Sequence, residues 1–257
     1  MPATPPTTPT DPVTLPVGYF DAEDGRHQEL TIRRLTGRDR KMLGEAKYQQ
    51  NPSKLVTNLI ASTIVEFPGT PTDMAPQRLA GLLTCADRNH IILQLRANSM
   101  GNDLSTNVQC PHCKENNEVE LDISTIPSRE LTKIEFHGEG NARRLIQRVA
   151  IPELKLKAAL LIPNGEDESS VIHLIKKNPI EGAMALMARC LLELNGAKPE
   201  RDALDDMDWA TNDKLSSRWS EELPGPEMSS TVECHSCGMK VPMVIMGADF
   251  FSVGSPQ

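Results

Sequence analysis

Two short stretches, Cys110-Pro111-His112-Cys113 and Cys234-His235-Ser236-Cys237, constrain this chain more than any other feature. Each is a CxxC knuckle between strand-like segments, and together they hold four of the six cysteines. A CxxC bend aims two sulfurs at one point. Two such bends supply the four soft, tetrahedral ligands of a closed structural zinc site. Asn107-Val108-Gln109 enters the first knuckle and Glu118-Val119-Glu120-Leu121-Asp122-Ile123 leaves it, with the apolar alternation of a half-buried strand. Thr231-Val232-Glu233 and Val241-Pro242-Met243-Val244-Ile245-Met246 frame the second knuckle in the same way. Each knuckle reads as half of a zinc ribbon, with Cys110, Cys113, Cys234 and Cys237 as ligands and Zn2+ as a structural ion. A redox CxxC stands singly beside a βαβ pattern, so two matched knuckles favour metal over a redox disulfide or plain buried thiols. His112 and His235 are expected to point outward, because four thiolates already complete the set.

An ordinary ribbon separates its knuckles by about 15–20 residues, whereas 120 residues lie between Cys113 and Cys234. A constant offset of 124 places Ile91 on Leu215, Leu95 on Trp219, Gly101 on Gly225 and Val108 on Val232. The same offset places Cys110 on Cys234, Cys113 on Cys237, Val119 on Met243 and Leu121 on Ile245. Two Asn-Pro breaks, Asn51-Pro52 and Asn178-Pro179, register at 127. This order reads as an internal duplication rather than chance, and it explains the long spacing. The expected fold is α+β: two tandem pseudo-repeated modules of helices plus short strands, joined by a split four-cysteine zinc ribbon. The expected boundaries are a Pro/Thr-rich arm at 1–17, modules at 18–125 and 126–250, and a tail at 251–257.

Along the chain, the arm is too rich in Pro and Thr to offset its ordering entropy by apolar burial, so structure is expected from Gly18 onward. Tyr19-Phe20 and Leu30-Thr31-Ile32 flank a polar turn and predict a hairpin, followed by a helix over 38–49. Ser53 is the expected N-cap of the next helix, whose stripe is Leu55, Val56, Leu59, Ile60, Ile64 and Phe67. Helices are predicted over 76–83 and 87–99. In the second half, Leu154-Lys155-Leu156-Lys157 alternates like a strand, and Pro163-Asn164-Gly165 turns the chain into a helix. A further helix carries Ala183, Met184, Leu186, Met187, Cys190, Leu191 and Leu194 up to Asn195-Gly196, and another spans 211–222.

The net charge of −8 and an aromatic content of 4% argue against a nucleic-acid surface, which needs clustered cations and stacking platforms. No apolar run reaches membrane-spanning length, and the N-terminus lacks a signal peptide's charged start and apolar core. There is no phosphate-cradling glycine loop, no G-x-S-x-G and no H-E-x-x-H, and the six histidines are scattered. Asp202, Asp205, Asp206 and Asp208 read as a solvated face, and Cys85 and Cys190 as core residues. The expectation is a protein without catalytic residues or small-molecule substrate.

At Leu35-Thr36-Gly37-Arg38-Asp39 and at Leu161-Ile162-Pro163-Asn164-Gly165-Glu166-Asp167 the chain resembles a known family. The same holds from Asp87-Arg88 through Leu93-Gln94-Leu95-Arg96 to Gly101-Asn102-Asp103 before Cys-Pro-x-Cys. Over residues 18–250 it is similar to the T-even-type phage baseplate (hub) proteins of contractile tails and related injection systems. That resemblance implies a non-enzymatic part of a tail baseplate, made in the host bacterial cytoplasm and partnered by other tail proteins. The N-terminal arm would then dock on a neighbour. The alternatives are a cytoplasmic baseplate assembly chaperone absent from the mature particle and a zinc-ribbon nucleic-acid-binding module.

Overall fold

A computed structural model describes residues 8–23, 25–45, 51–140, 143–245 and 250–251. Helices and strands mix throughout them. The chain opens with a hairpin of β1 (Thr10–Phe20) and β2 (Arg26–Arg33). Helices α1 (Gly37–Leu43) and α2 (Pro52–Thr63) follow, and β3 (Ile64–Glu66) returns to pair with β2, giving an antiparallel sheet ordered β1-β2-β3. Helices α3 (Pro76–Leu82) and α4 (Cys85–Met100) then lead to a hairpin of β4 (Asp103–Gln109) and β5 (Asn116–Asp122). After β6 (Ser128–Arg129) and β7 (Phe136–His137) come β8 (Arg144–Ile151), β9 (Leu156–Leu161), α5 (Gly165–Lys177), α6 (Pro179–Cys190) and β10 (Leu191–Leu194). Their sheet is ordered β10-β9-β8-β7. Helix α7 (Trp209–Glu222), β11 (Gly225–Pro226) and a hairpin of β12 (Ser229–Glu233) and β13 (Lys240–Val244) complete the chain.

Several expectations are corrected by this course. Structure starts at Thr10 rather than Gly18, so residues 10–17 of the expected arm are strand; residues 1–7 lie outside the described residues. Val13, Leu15 and Val17 alternate into the core, all nearly solvent-free. The prolines that mask this period are tolerable because β1 is an edge strand. Helix α1 spans Gly37–Leu43, and residues 46–49 of the predicted helix lie outside the described residues. Asn51, not Ser53, caps α2: its side chain accepts the Lys54 N–H, with Pro52 in the first helical position. The stripes drawn through Ile64 and Leu191 stop earlier, at Thr63 and Cys190. Ile64 and Leu191 instead begin β3 and β10, paired to β2 and β9. Apolar residues at these positions satisfy helical spacing and strand pairing alike, and the free edges of β2 and β9 decide between them. Pro152–Leu154 is a 3-10 turn and Lys155 is left-handed at φ 49°, so that strand begins at Leu156.

Cores do not divide at residue 125. Met243, Ile245 and Phe250 belong to the same apolar cluster as Leu95, Leu104 and Ile123. A small cluster of Val17, Ala86, Leu145 and Ile162 fills the joint between the halves. There the caps of α4 and α5 meet as an antiparallel bridge, Thr84 to Asn164, with Cys85 N–H donating to Pro163 at 2.8 Å and Gly165 N–H to Leu83 at 3.2 Å. A Cβ on Gly165 would lie 2.4 Å from the Arg88 guanidinium, so close helix approach requires glycine here. Gly225, left-handed at φ 103°, likewise lies too close to Ala86 for a side chain.

Among the described residues, buried charge is confined to a few places; Arg96 bonds only the Asp103 carbonyl through one terminal nitrogen, while Arg88 and Asp87 are hydrogen-bonded more completely. Arg88, 1% exposed, donates to the carbonyls of Ala80 and Ser53 and to the Thr57 hydroxyl, and reaches Glu168 across the joint. Asp87, also buried, occupies the irregular stretch of β1, where pairing with β2 breaks between Thr14 and Tyr19. Its carboxylate accepts the Val17 and Gly18 N–H groups and the Thr84 hydroxyl. On the other side Arg26 donates to the carbonyls of Pro16 and Val17, and Gln28 to that of Leu15. Side chains thus replace the missing ladder bonds, as buried backbone groups demand.

Asp87→Ala should lower unfolding free energy by about 3 kcal/mol, because several buried donors lose their acceptor. Asp87→Asn should cost less, since its carbonyl still accepts two of them. Urea denaturation of both variants checks the order.

Asp39 is 1% exposed; its burial raises the pKa, but the Arg33 fork and the Thr36 N–H and hydroxyl outweigh this and hold it at about 2. A depressed carboxylate stabilises the fold above its unfolded pKa of 3.8 and loses that contribution as pH falls through about 2. The wild type should lose about 2 kcal/mol across that window from this group, and Asp39→Asn should flatten the loss in urea melts run at successive pH values.

Candidate metal centre

The β4–β5 and β12–β13 hairpins bring Cys110, Cys113, Cys234 and Cys237 to one place, with all four sulfurs within 4.8 Å of one another. Cys110 and Cys237 sulfurs are 3.7 Å apart, and those of Cys113 and Cys234 are 3.6 Å apart. A disulfide needs about 2.05 Å, and all six cysteines are free thiols. Four sulfurs at zinc–sulfur distances of about 2.3 Å around a tetrahedral ion stand about 3.8 Å apart. The donor set therefore fits a thiophilic, tetrahedral cation.

Each bend is shaped by its own backbone. Cys110 N–H donates to the Glu115 carbonyl at 2.8 Å, and Lys114 N–H to that of Cys110 at 3.0 Å. Cys234 N–H donates to Met239 at 2.9 Å, and Gly238 N–H to Cys234 at 2.8 Å. Lys114 and Gly238, at φ 65° and 69°, take the left-handed turn that closes each loop. Within each loop the first cysteine is buried and the second is at the surface.

Electrostatics follow the same division. The Cys237 N–H, then that of Ser236, pull the Cys234 thiol down to about 6. The Cys113 N–H lowers Cys110 as well. The N–H of Glu115 pulls Cys113 down too, but desolvation and three neighbouring sulfurs win and push it up to about 12. Four sulfurs this close cannot all carry unshielded charge, which is the condition a bound cation relieves.

Sequence reading missed one residue that shapes this centre. Asn117, buried on β5, donates to the Val108 and Glu115 carbonyls of its own hairpin. Its side-chain oxygen accepts the His235 N–H of the other knuckle at 3.0 Å. The signal was present: Asn117 shares a strand face with Val119 and Leu121, and it is the polar member of that inward row. His112 and His235 are exposed, as expected.

The other residues weighed for chemistry lie elsewhere. Cys190 is buried, Cys85 is partly buried against the Asn164 carbonyl, and burial pushes both thiols up. Asp208 caps α7 through the Thr211 N–H. His27 meets Asp21 at 2.7 Å, closing the β1–β2 turn. Among the described residues, these four cysteines are the group close enough to share a metal ion, and no helix is long and apolar enough to cross a membrane.

A family model described as T4 bacteriophage base plate protein matches residues 20–252, nearly the whole folded span. The chain belongs to that family. No curated protein and no solved structure matches it. Membership makes this a phage base plate protein, a part of the tail that works among other tail proteins. The match spans both cysteine hairpins, so the four-cysteine cluster lies within the family's own span rather than in an appended module.

Asn117→Val, which copies Val241 of the other hairpin, should leave the His235 N–H and the Val108 and Glu115 carbonyls without their side-chain partner. Stability in denaturant should fall by about 1–2 kcal/mol.

Proposed function

We propose that this base plate protein is a non-enzymatic, zinc-stapled adaptor of the tail, in the hub region, holding neighbouring subunits in fixed orientation. The observation that carries the reading is the meeting of four sulfurs from two knuckles with 120 residues between them in sequence. Cys110, Cys113, Cys234 and Cys237 would hold the ion, which supplies rigidity rather than chemistry: a four-sulfur set leaves no open position for substrate. In zinc-finger peptides such an ion contributes about 10–16 kcal/mol to folding.

Two tandem modules arising by duplication would account for the geometry, the first beginning with β1 at Thr10 and the second lending its last hairpin to the first half's core. Residue pairing supports this reading at several offsets. Val108 pairs with Asn117, and Val232 with Val241, both members advanced by 124. Arg88 donates to the Ala80 carbonyl and Asn212 to that of Leu204, again shifted by 124. Helices α2 and α6 each have twelve residues and an Asn cap, 127 apart. Ile32 pairs with Ile64 and Leu160 with Leu191, shifted by 128 and 127. The expected arm contracts to the residues before β1, which remain the segment suited to docking on a neighbour.

Metal analysis of reduced, freshly purified protein should give one zinc per chain. Cys110→Ser and Cys234→Ser should each lose the metal and broaden the unfolding transition. No zinc at all would overturn the staple. Mass spectrometry of finished particles separates a resident component from an assembly chaperone that leaves. Salt-dependent binding to DNA or RNA would instead favour the nucleic-acid module.

A further inference from the structure

A cleft of about 530 Å³ opens where the two halves meet, away from the cysteines. Its walls come from the β1–β2 hairpin at Tyr19, from α3 at Arg78, from the α5 cap, from β7 and β8, and from α6 at Arg189. Four arginines line it against two carboxylates, Glu166 and Asp167, in a chain whose net charge is −8. Asp167 is 1% exposed and already saturated. It accepts the Asn164 N–H and both terminal nitrogens of Arg144, and it takes Arg189 through Nε alone at 2.7 Å. A single carboxylate therefore carries two guanidiniums, which leaves a surplus positive charge at the cleft. The Arg189 side chain is 48% exposed, and among the described residues its terminal nitrogens have no bonded acceptor. Arg78 is exposed and makes no ion pair among the described residues.

We propose that this cleft is an interaction site for an acidic segment of a protein partner, whose carboxylate seats between Arg78 and Arg189. Guanidinium forks match carboxylates in pairs. Tyr19 and Phe136 give the cleft an aromatic side for the apolar stem of an aspartate or glutamate. The volume suits a few side chains rather than a duplex, so an acidic protein segment is favoured over nucleic acid.

The inference rests on the adaptor reading, but its test does not involve the metal. Calorimetric titration of the full-length, zinc-replete protein with N-acetyl-hexaglutamate amide should show binding that weakens with salt. The hexaglutamine counterpart should not bind. Arg78→Gln and Arg189→Gln should each weaken the glutamate peptide about fivefold or more. Asp167 keeps Arg144 and the Asn164 N–H in the second variant, so folding should persist, as unchanged melting curves would confirm. Arg201→Gln, beside Leu204 in a separate hollow, should leave binding as it was. Equal binding of hexaglutamine, indifference to both cleft variants, or preference for a single-stranded oligonucleotide would overturn the proposal. Such a result with zinc still bound defeats the cleft alone, whereas a chain found outside every tail complex defeats the adaptor reading.

Discussion

Four sulfurs within 4.8 Å, two from each half of the chain, set the condition that the rest of the structure meets. Two short hairpins of five to seven residues per strand are not stable alone in water. Here each is held from two sides. Inward residues such as Leu104, Met243 and Ile245 sink into the main core, and the far ends converge on the cysteines. Asn117 adds a third tie by linking one hairpin directly to the other knuckle. The arrangement divides labour: apolar burial chooses where the hairpins lie, while the sulfurs and one amide fix how they face each other.

That facing also depends on the joint between α4 and α5. Their caps exchange backbone hydrogen bonds, and Arg88 runs under the contact to touch three other elements, α2, α3 and α5. A buried guanidinium is costly unless its donors are used. It survives here because the Ala80 carbonyl in the last turn of α3, the Ser53 carbonyl and Thr57 hydroxyl of α2, and Glu168 of α5 accept its protons. The two halves are thus not beads on a string joined only at the cysteines. Their relative orientation is determined at two separated places, and the proposed metal ion would only have to lock a geometry that packing has already approached.

Much of this was legible in the amino-acid order. The cysteine spacing, the Asn-Pro breaks and the alternation around each knuckle identified the hairpins and their meeting, because these signals are local and chemically specific. The failures share another cause. Ile64 and Leu191 look helical by spacing and become strands through partners distant in sequence. Val13, Leu15 and Val17 were hidden by prolines that only an edge strand tolerates. The cleft arginines were invisible because Arg78, Arg144 and Arg189 belong to three elements that no short motif connects. Asn117 could have been found, since a polar residue in an inward row requires a partner.

The two halves differ most in their first hairpins, and the difference has a structural use. Thr14 pairs with Glu29, whereas Ala150 pairs with Lys157, so the first hairpin carries eight more residues between equivalent partners. This extra length contains the irregular stretch whose backbone is satisfied by Asp87, Arg26 and Gln28. It also delivers Val17 and Phe20 to the cluster with Leu145, Ile162 and Phe136. A strictly symmetric pair of modules would leave that space between the sheets unfilled. The extension fills it with chain from one half only, and in doing so builds the wall of the cleft that Tyr19 and Phe20 face. On the proposed duplication reading, a one-sided extension of the first hairpin is what sets this cleft apart from a twofold arrangement.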